Sequence, residues 1–267
     1  MRGGMSASSF DTGSGHGTPV PRARFASVHW VRYPAIRTLD DLSLSERPAG
    51  CLSWKIGPDG PVGPDGVRLP SDVWCAVALF RDEASARSAL AARERFLPLL
   101  ATAVESWHAV LIAIAHKGEC NHLDRMLPGP IFDNGQQDPR GPLFVMTTAG
   151  FNLGPDFNMQ RVIDFRRNVD CVREWMRSAP GMFGAHSFAP HTRGDDGVTM
   201  SVWADDAAMT SVMYRPGVHR AQIDRYKAEH TADRTSFTRF RAVETCGTWN
   251  GTDPIEEARK GHKEIST

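Results

Sequence analysis

The chain has 267 residues, 31 Lys+Arg against 31 Asp+Glu, 41% hydrophobic residues and seven Trp. That charge balance removes the general electrostatic case for binding nucleic acid or an anionic membrane, and no apolar run approaches the roughly 20 residues of a membrane-spanning helix. The five cysteines, Cys51, Cys75, Cys120, Cys171 and Cys246, are scattered with no Cys-x-x-Cys, which argues against a structural zinc site or a thioredoxin-like motif and fits a reducing cytoplasm.

Residues 1–24 are rich in Gly, Ser, Pro and Thr and read as a disordered arm with no apolar signal region. From Phe25 the pattern predicts a strand at 25–31, a short helix at 36–44 and a strand at 50–56. The loop 57–70 writes Gly-Pro-Asp-Gly twice, which is turn chemistry. Unbroken apolarity marks 72–80 as a buried strand; Asp82 caps a helix to about residue 96, and 107–114 is a further strand. This order, βαββαβ, is the ferredoxin-like motif and occupies 25–116. A Pro/Gly-rich linker or insertion covers 117–141.

The order recurs over 142–254. Residues 143–148 form a strand, and 158–178 an amphipathic helix with Val162, Phe165, Val169, Val172 and Met176 on one stripe. Strands follow at 181–188 and 198–203, then a broken helix pair and a strand at 237–245. The charged tail, 255–267, is expected to fray. A faint echo sets 47–58 against 179–190 and 77–84 against 201–208, so that Trp54 answers His186. The expected fold is α+β: two tandem ferredoxin-like repeats pairing sheet against sheet as a barrel.

Residues 200–226 carry the densest local signal. Asp205 is a helix N-cap, Ala208, Met209, Val212 and Met213 share a helical face, and Arg215-Pro216-Gly217 stops the helix. A second helix starts at about Val218 with His219 in its first turn. On the strand 181–188, alternation predicts Met182, Gly184, His186 and Phe188 on one face, with Phe183, Ala185 and Ser187 on the other. A mid-strand His is either a core residue bonded to backbone or an acid/base group active near neutral pH. Nucleotide-binding glycine motifs, His-Glu-x-x-His and Gly-x-Ser-x-Gly are absent from the sequence. Asp195-Asp196 and Asp205-Asp206 read as turn and cap chemistry.

The runs Ser201-Val-Trp-Ala-Asp-Asp-Ala-Ala-Met209, Tyr214-Arg-Pro-Gly-Val-His-Arg-Ala221, Phe237-Thr-Arg-Phe-Arg-Ala-Val243 and Gly247-Thr-Trp-Asn-Gly-Thr-Asp-Pro254 resemble the C-terminal half of the spheroidene monooxygenase family. The resemblance is specific over roughly 170–254, weaker over 25–115, and absent before 25 and across 117–141. It implies a dimeric α+β-barrel fold and a haem b cofactor, with His219 as axial iron ligand and His230 as its rival. It further implies Arg215 and Arg220, with Arg32, as propionate partners, and Trp203, Met209 and Tyr214 as pocket lining. His186 and Ser187 are the candidate catalytic residues on the other side of the iron.

The expected function is a cytoplasmic, haem-dependent, monooxygenase-like oxidoreductase acting on a hydrophobic or aromatic small molecule in a specialised biosynthetic pathway. Haem-dependent dehydration or N–O/N–N chemistry like that of aldoxime dehydratases, a haem carrier or sensor, and a cofactor-free barrel monooxygenase stand beside it. The expected partner is the small-molecule substrate, with neither nucleic acid nor a membrane span, and with a homodimer open as the assembly.

Overall fold

The computed structural model describes residues 23–38, 47–97, 100–118, 141–155, 157–189, 196–214, 216–229 and 231–265. Its strands are β1 (Phe25–Arg37), β2 (Cys51–Pro58), β3 (Ser71–Phe80), β4 (Glu105–Gly118), β5 (Leu143–Gly150), β6 (Met182–Phe188), β7 (Gly197–Trp203) and β8 (Arg234–Gly247). Its helices are α1 (Glu83–Ala91), α2 (Met159–Arg177), α3 (Asp206–Met213), α4 (Val218–Glu229) and α5 (Pro254–Ile265). Among the described residues no helix is long and apolar enough to cross a membrane.

All eight strands lie in one sheet, in the order β2-β3-β1-β4-β8-β5-β7-β6. Read outward from the central β4–β8 pair the order is the same on both sides, first repeat and second. The sheet curls until β6 touches β2 and β3. At that seam Gly57 passes so close to Ala189 that an added Cβ would stand 2.7 Å from its carbonyl oxygen. The inside is filled by large side chains, including Trp30, Trp107, Phe144, Phe188, Met200 and Phe240, all buried. Interior packing at this density makes the barrel a core rather than a pore. Outside, α1 packs on the first repeat and α2 and α3 on the second.

Both helix starts read from the sequence are present: Ser85 N–H donates to Asp82 Oδ1 at 2.8 Å and Ala208 N–H to Asp205 Oδ1 at 2.7 Å. Four expectations differ. The helix expected at 36–44 does not start there, because β1 runs through Ile36 and Arg37; residues 39–46 lie outside the described residues. The helix after Asp82 ends at Ala91 and continues only as a 3-10 turn, Arg93–Arg95. The tail expected to fray forms α5, with Ile255 and Ala258 buried against the barrel. Its first turn is tied down by Asp253, whose Oδ1 accepts Ile255 N–H at 2.9 Å and Trp107 Nε1–H at 3.0 Å.

The fourth difference is one of phase. Superposing the two caps sets Val77 against Met200, one position away from the echo in the sequence. Lys55 pairs with Val77 and His186 with Met200, so Lys55 is the counterpart of His186. Trp54 stands opposite Ala78 on the outer face, its ring 5.2 Å from that of Phe96. A slip of one residue exchanges the two faces of a strand. The arm 1–22 and the linker residues 119–140 lie outside the described residues.

Candidate functional site

The α3–α4 break is built as its sequence requires. α3 ends at Met213, and the backbone carbonyls of a helix's last turn have no intrahelical donor. The Pro216-Gly217 turn brings α4 back so that His219 Nδ1 meets the Met213 carbonyl at 2.8 Å. Since a carbonyl only accepts, Nδ1 carries the hydrogen and Nε2 keeps its lone pair. Burial pushes the His219 imidazole below its ordinary pKa, outweighing the opposing effect of that hydrogen bond. The ring is half-buried, neutral and fixed in one tautomer, the state in which imidazole ligates a metal.

Met209 and Trp203 are fully buried among Leu143, Val145, Val172 and Met176, in the cluster that also holds Met213. The Trp203 indole N–H donates to Ser201 Oγ at 2.8 Å. Tyr214 is exposed, and Arg220 pairs with Asp224 one turn along its own helix, at 3.0 Å. Arg32 is remote from this region in contacts, pairing with Glu105 at 2.7 Å and with Asn250 Oδ1 at 3.0 Å. Arg215 and His230 lie outside the described residues.

His186 is on the other side of the sheet. A bulge at Phe183 resets β6, so Met182 pairs with Trp203 and Gly184 with Val202. Met182 therefore joins the outer cluster under α2 and α3, whereas Gly184, His186 and Phe188 face inward, opposite Val202, Met200 and Val198. Met209 and Met213 of α3 pack on the outer face, so His186 and the α3–α4 break lie on opposite faces of one sheet. Ser187 points outward from the residue beside it, and its Oγ accepts from Arg68 Nη2 at 2.7 Å.

The residue that organises His186 is Asp59, in the first Gly-Pro-Asp-Gly. Its side chain is 3% exposed. It accepts the His186 ring at Nδ1 (2.7 Å), Ser187 N–H (3.2 Å) and the Arg173 guanidinium. Burial alone would raise this carboxyl, but the His186 hydrogen bond and the guanidinium charges of Arg173 and Arg68 hold it below the ordinary carboxylate value. His186 is pushed down, chiefly by its own burial and further by Arg177 and Arg173, against the pull of Asp59. An ionised Asp59 and a neutral imidazole fix the proton on Nδ1. Nε2, a bare acceptor, is buried with no hydrogen-bond partner among the described residues.

His186 and Asp59 line a cleft of about 510 Å³ at the barrel mouth, with Trp249, Phe183, Arg32 and Arg177 among its walls. Asp59, Cys75 and His186 also bring one possible metal-ligand atom each within 4.8 Å of one another. The donor set suits a divalent ion poorly. Burial pushes the Cys75 thiol well above its ordinary pKa, and the Asp59 carboxylate is already countered by Arg173 and Arg68. Asp59, Trp30 and Trp249 were not singled out from the sequence. Asp59 sits in a tetrapeptide written twice; in the second copy Asp65 does turn work, with Val67 N–H donating to its Oδ1 at 3.1 Å, and the Gly66 carbonyl accepts from Arg166.

No protein-family model and no curated protein matches the sequence. Solved structures match in fold. An aldoxime dehydratase in complex with butyraldoxime is 10% identical, with 88% of this chain and 84% of that one covered and a TM-score of 0.51. A second aldoxime dehydratase is 9% identical, with 89% and 88% covered and a TM-score of 0.49. An anthrone oxidase-like protein is 13% identical, with 86% and 96% covered and a TM-score of 0.30. The chain has the α+β-barrel architecture, with both ferredoxin-like halves supplied by one polypeptide.

Proposed function

We propose that this chain is a haem-dependent enzyme of the α+β-barrel class, in which His219 would hold the haem iron through Nε2. The observation that carries the reading is the His219 Nδ1 hydrogen bond to the Met213 carbonyl, which presets a neutral ring with a free Nε2. A backbone carbonyl on the far nitrogen fixes the ring's rotation and raises its basicity as a ligand. The resemblance to the spheroidene monooxygenase family points to the same residue. Haem bound there would supply redox or N–O chemistry that amino-acid side chains lack. The protein's share is to hold the ring, keep it unprotonated near neutral pH and shield one side of the site with the outer sheet face and α2.

On this reading the substrate is a hydrophobic or aromatic small molecule, and the reaction is monooxygenase-like. An aldoxime is an N–O compound, and the fold shared with an aldoxime dehydratase supports haem-dependent dehydration as the second reading. The placement of His186 and Ser187, inside and outside the sheet respectively, makes neither a neighbour of the α3–α4 break among the described contacts. Titration of the purified chain with haem tests the proposal. A Soret band should develop at one haem per chain and be lost or strongly weakened in His219→Ala. A band unchanged by His219→Ala and lost in His230→Ala would make His230 the ligand instead. No band in the wild-type chain would remove haem altogether.

A further inference from the structure

A smaller cavity, of about 50 Å³, lies between α2, the end of β5 and the start of β7. At about 10–15 Å³ of such space per water-sized group, it admits a ligand of about five heavy atoms. The cluster under α3 gathers Leu143, Val145 and Trp203 at the opposite ends of the same two strands, so the cavity is separate from it. Its lining includes the cross-strand pair Thr147 and Thr199. Thr147 shares the outer face with Val145 by alternation, and Thr199 Oγ1 donates to Ser187 Oγ, also outward, at 3.4 Å.

The charges around it do not balance. Arg68 and Arg166 both line the cavity, and no carboxylate among the described residues does. Arg68 is 4% exposed and is countered by Asp170 at 2.9 Å. Arg166, half-buried on α2, donates to the Gly66 carbonyl and pairs with no carboxylate among the described residues. Burial holds its guanidinium below the ordinary arginine value; the charge of Arg68 adds to this, and that of the exposed Asp65 opposes it only in part. A partly desolvated cation without a counter-ion is costly, and a bound anion offsets that cost. The rest of the wall is apolar, with Phe151 and Phe165 edge to face at 5.5 Å and Val169 beside them. A multiply charged oxyanion would be desolvated against these rings with one spare guanidinium to meet it. What fits is a single carboxylate with a short alkyl group behind it.

We infer that this cavity is a binding site for a short-chain monocarboxylate, whose carboxylate pairs with Arg166 and whose alkyl group rests on Phe151, Phe165 and Val169. Arg68, held in the wall by Asp170 and Ser187, keeps cations out. The site does not depend on the haem reading, since it uses neither His219 nor the α3–α4 break.

The test is calorimetric titration of the purified full-length chain, before any haem is added, with propionate, propionamide, formate and inorganic phosphate. Propionate should bind saturably at one site per chain. Propionamide, which lacks the charge, should bind about tenfold more weakly. Formate, which lacks two carbons worth about fourfold each, should also be about tenfold weaker, and phosphate weaker than propionate. Arg166→Gln should abolish the preference for propionate over propionamide. Arg225→Gln, at an exposed guanidinium paired with Glu229 on α4, should leave it intact. So should His219→Ala, which tells failure of this site from failure of the haem reading. The wild-type series needs no variant to fold. No saturable propionate binding, equal affinity for acid and amide, tighter binding of phosphate, or a preference that survives Arg166→Gln or is lost in His219→Ala would each overturn the inference.

Discussion

The histidines show how burial sets chemistry at the level of a single residue. His29 and His108 face each other across β1 and β4 with their Nδ1 atoms 3.0 Å apart. Their outer nitrogens reach Ser27 Oγ at 3.0 Å and Ser106 Oγ at 3.1 Å. One Nδ1 must donate and the other accept, which requires a neutral ring on the accepting side, and burial keeps the donating ring neutral as well. Burial pushes His29 well below 6.5, with His108 and Arg93 adding to it, and pushes His108 down to about 3. His116, His186 and His219 are lowered too, each chiefly by burial. Above the unfolded value of 6.5 neither state holds the proton; below it the unfolded chain binds protons the folded one refuses, so stability falls with pH until the folded pKa is reached. Each such group contributes a slope of up to about 1.4 kcal/mol per pH unit. Urea unfolding followed from about pH 7 to pH 5 should show a steady loss of stability. In His108→Gln the slope should be shallower by about one proton. An unchanged slope would mean that His108 titrates normally in the folded protein.

At the level of elements, α3 depends on what holds its two ends. Asp205 takes the Ala208 N–H at the start, and His219 takes the Met213 carbonyl at the finish. Asp205→Ala should therefore cost about 1 kcal/mol, the usual loss for an N-cap, and should weaken haem uptake as well if α3 positions α4; thermal melts and haem titration read the two effects separately. α5 depends on burial: Ile255→Ala, at a fully buried position, should cost about 2–4 kcal/mol, whereas a frayed tail would show no change. The caps at Asp82 and Asp205 and the stripe on α2 were legible because a helix announces itself within a few residues. The bulge at Phe183 was not, because an extra residue leaves the apolar pattern nearly unaltered while moving Met182 to the outer face. α5 hid behind its charges, with Pro254, Ile255 and Ala258 marking the buried side among the described residues. The role of Asp59 was invisible for a further reason: its partners His186 and Arg173 are more than a hundred residues away in sequence.

The whole barrel has two junctions between its repeats, and they are made differently. At one, β4 and β8 form a long antiparallel ladder from Trp107–Gly247 to Gly118–Ser236. At the other, β2 and β6 meet with no ladder among the described residues, and side chains do the joining. Asp59 ties β6 through His186 and Ser187, Lys55 Nζ donates to the Asp196 carbonyl at 3.3 Å, and α2 braces the seam from outside through Arg173 to Asp59 and Arg68 to Asp170 at 2.9 Å. Sheet edges left open invite pairing with other chains, and this seam covers both. Removing one partner from a buried, charged network strands the others, at a cost of about 3–5 kcal/mol. Asp59→Ala would leave the His186 Nδ1–H and the Ser187 N–H without their acceptor and Arg173 with Asp170 at 3.6 Å in its place. Hydrogen exchange should then quicken in β2 and β6 while the β4–β8 ladder stays protected, because only one of the two junctions has been cut. Uniform acceleration across all eight strands would instead mean that the barrel opens as a single unit, with the seam no weaker than the ladder.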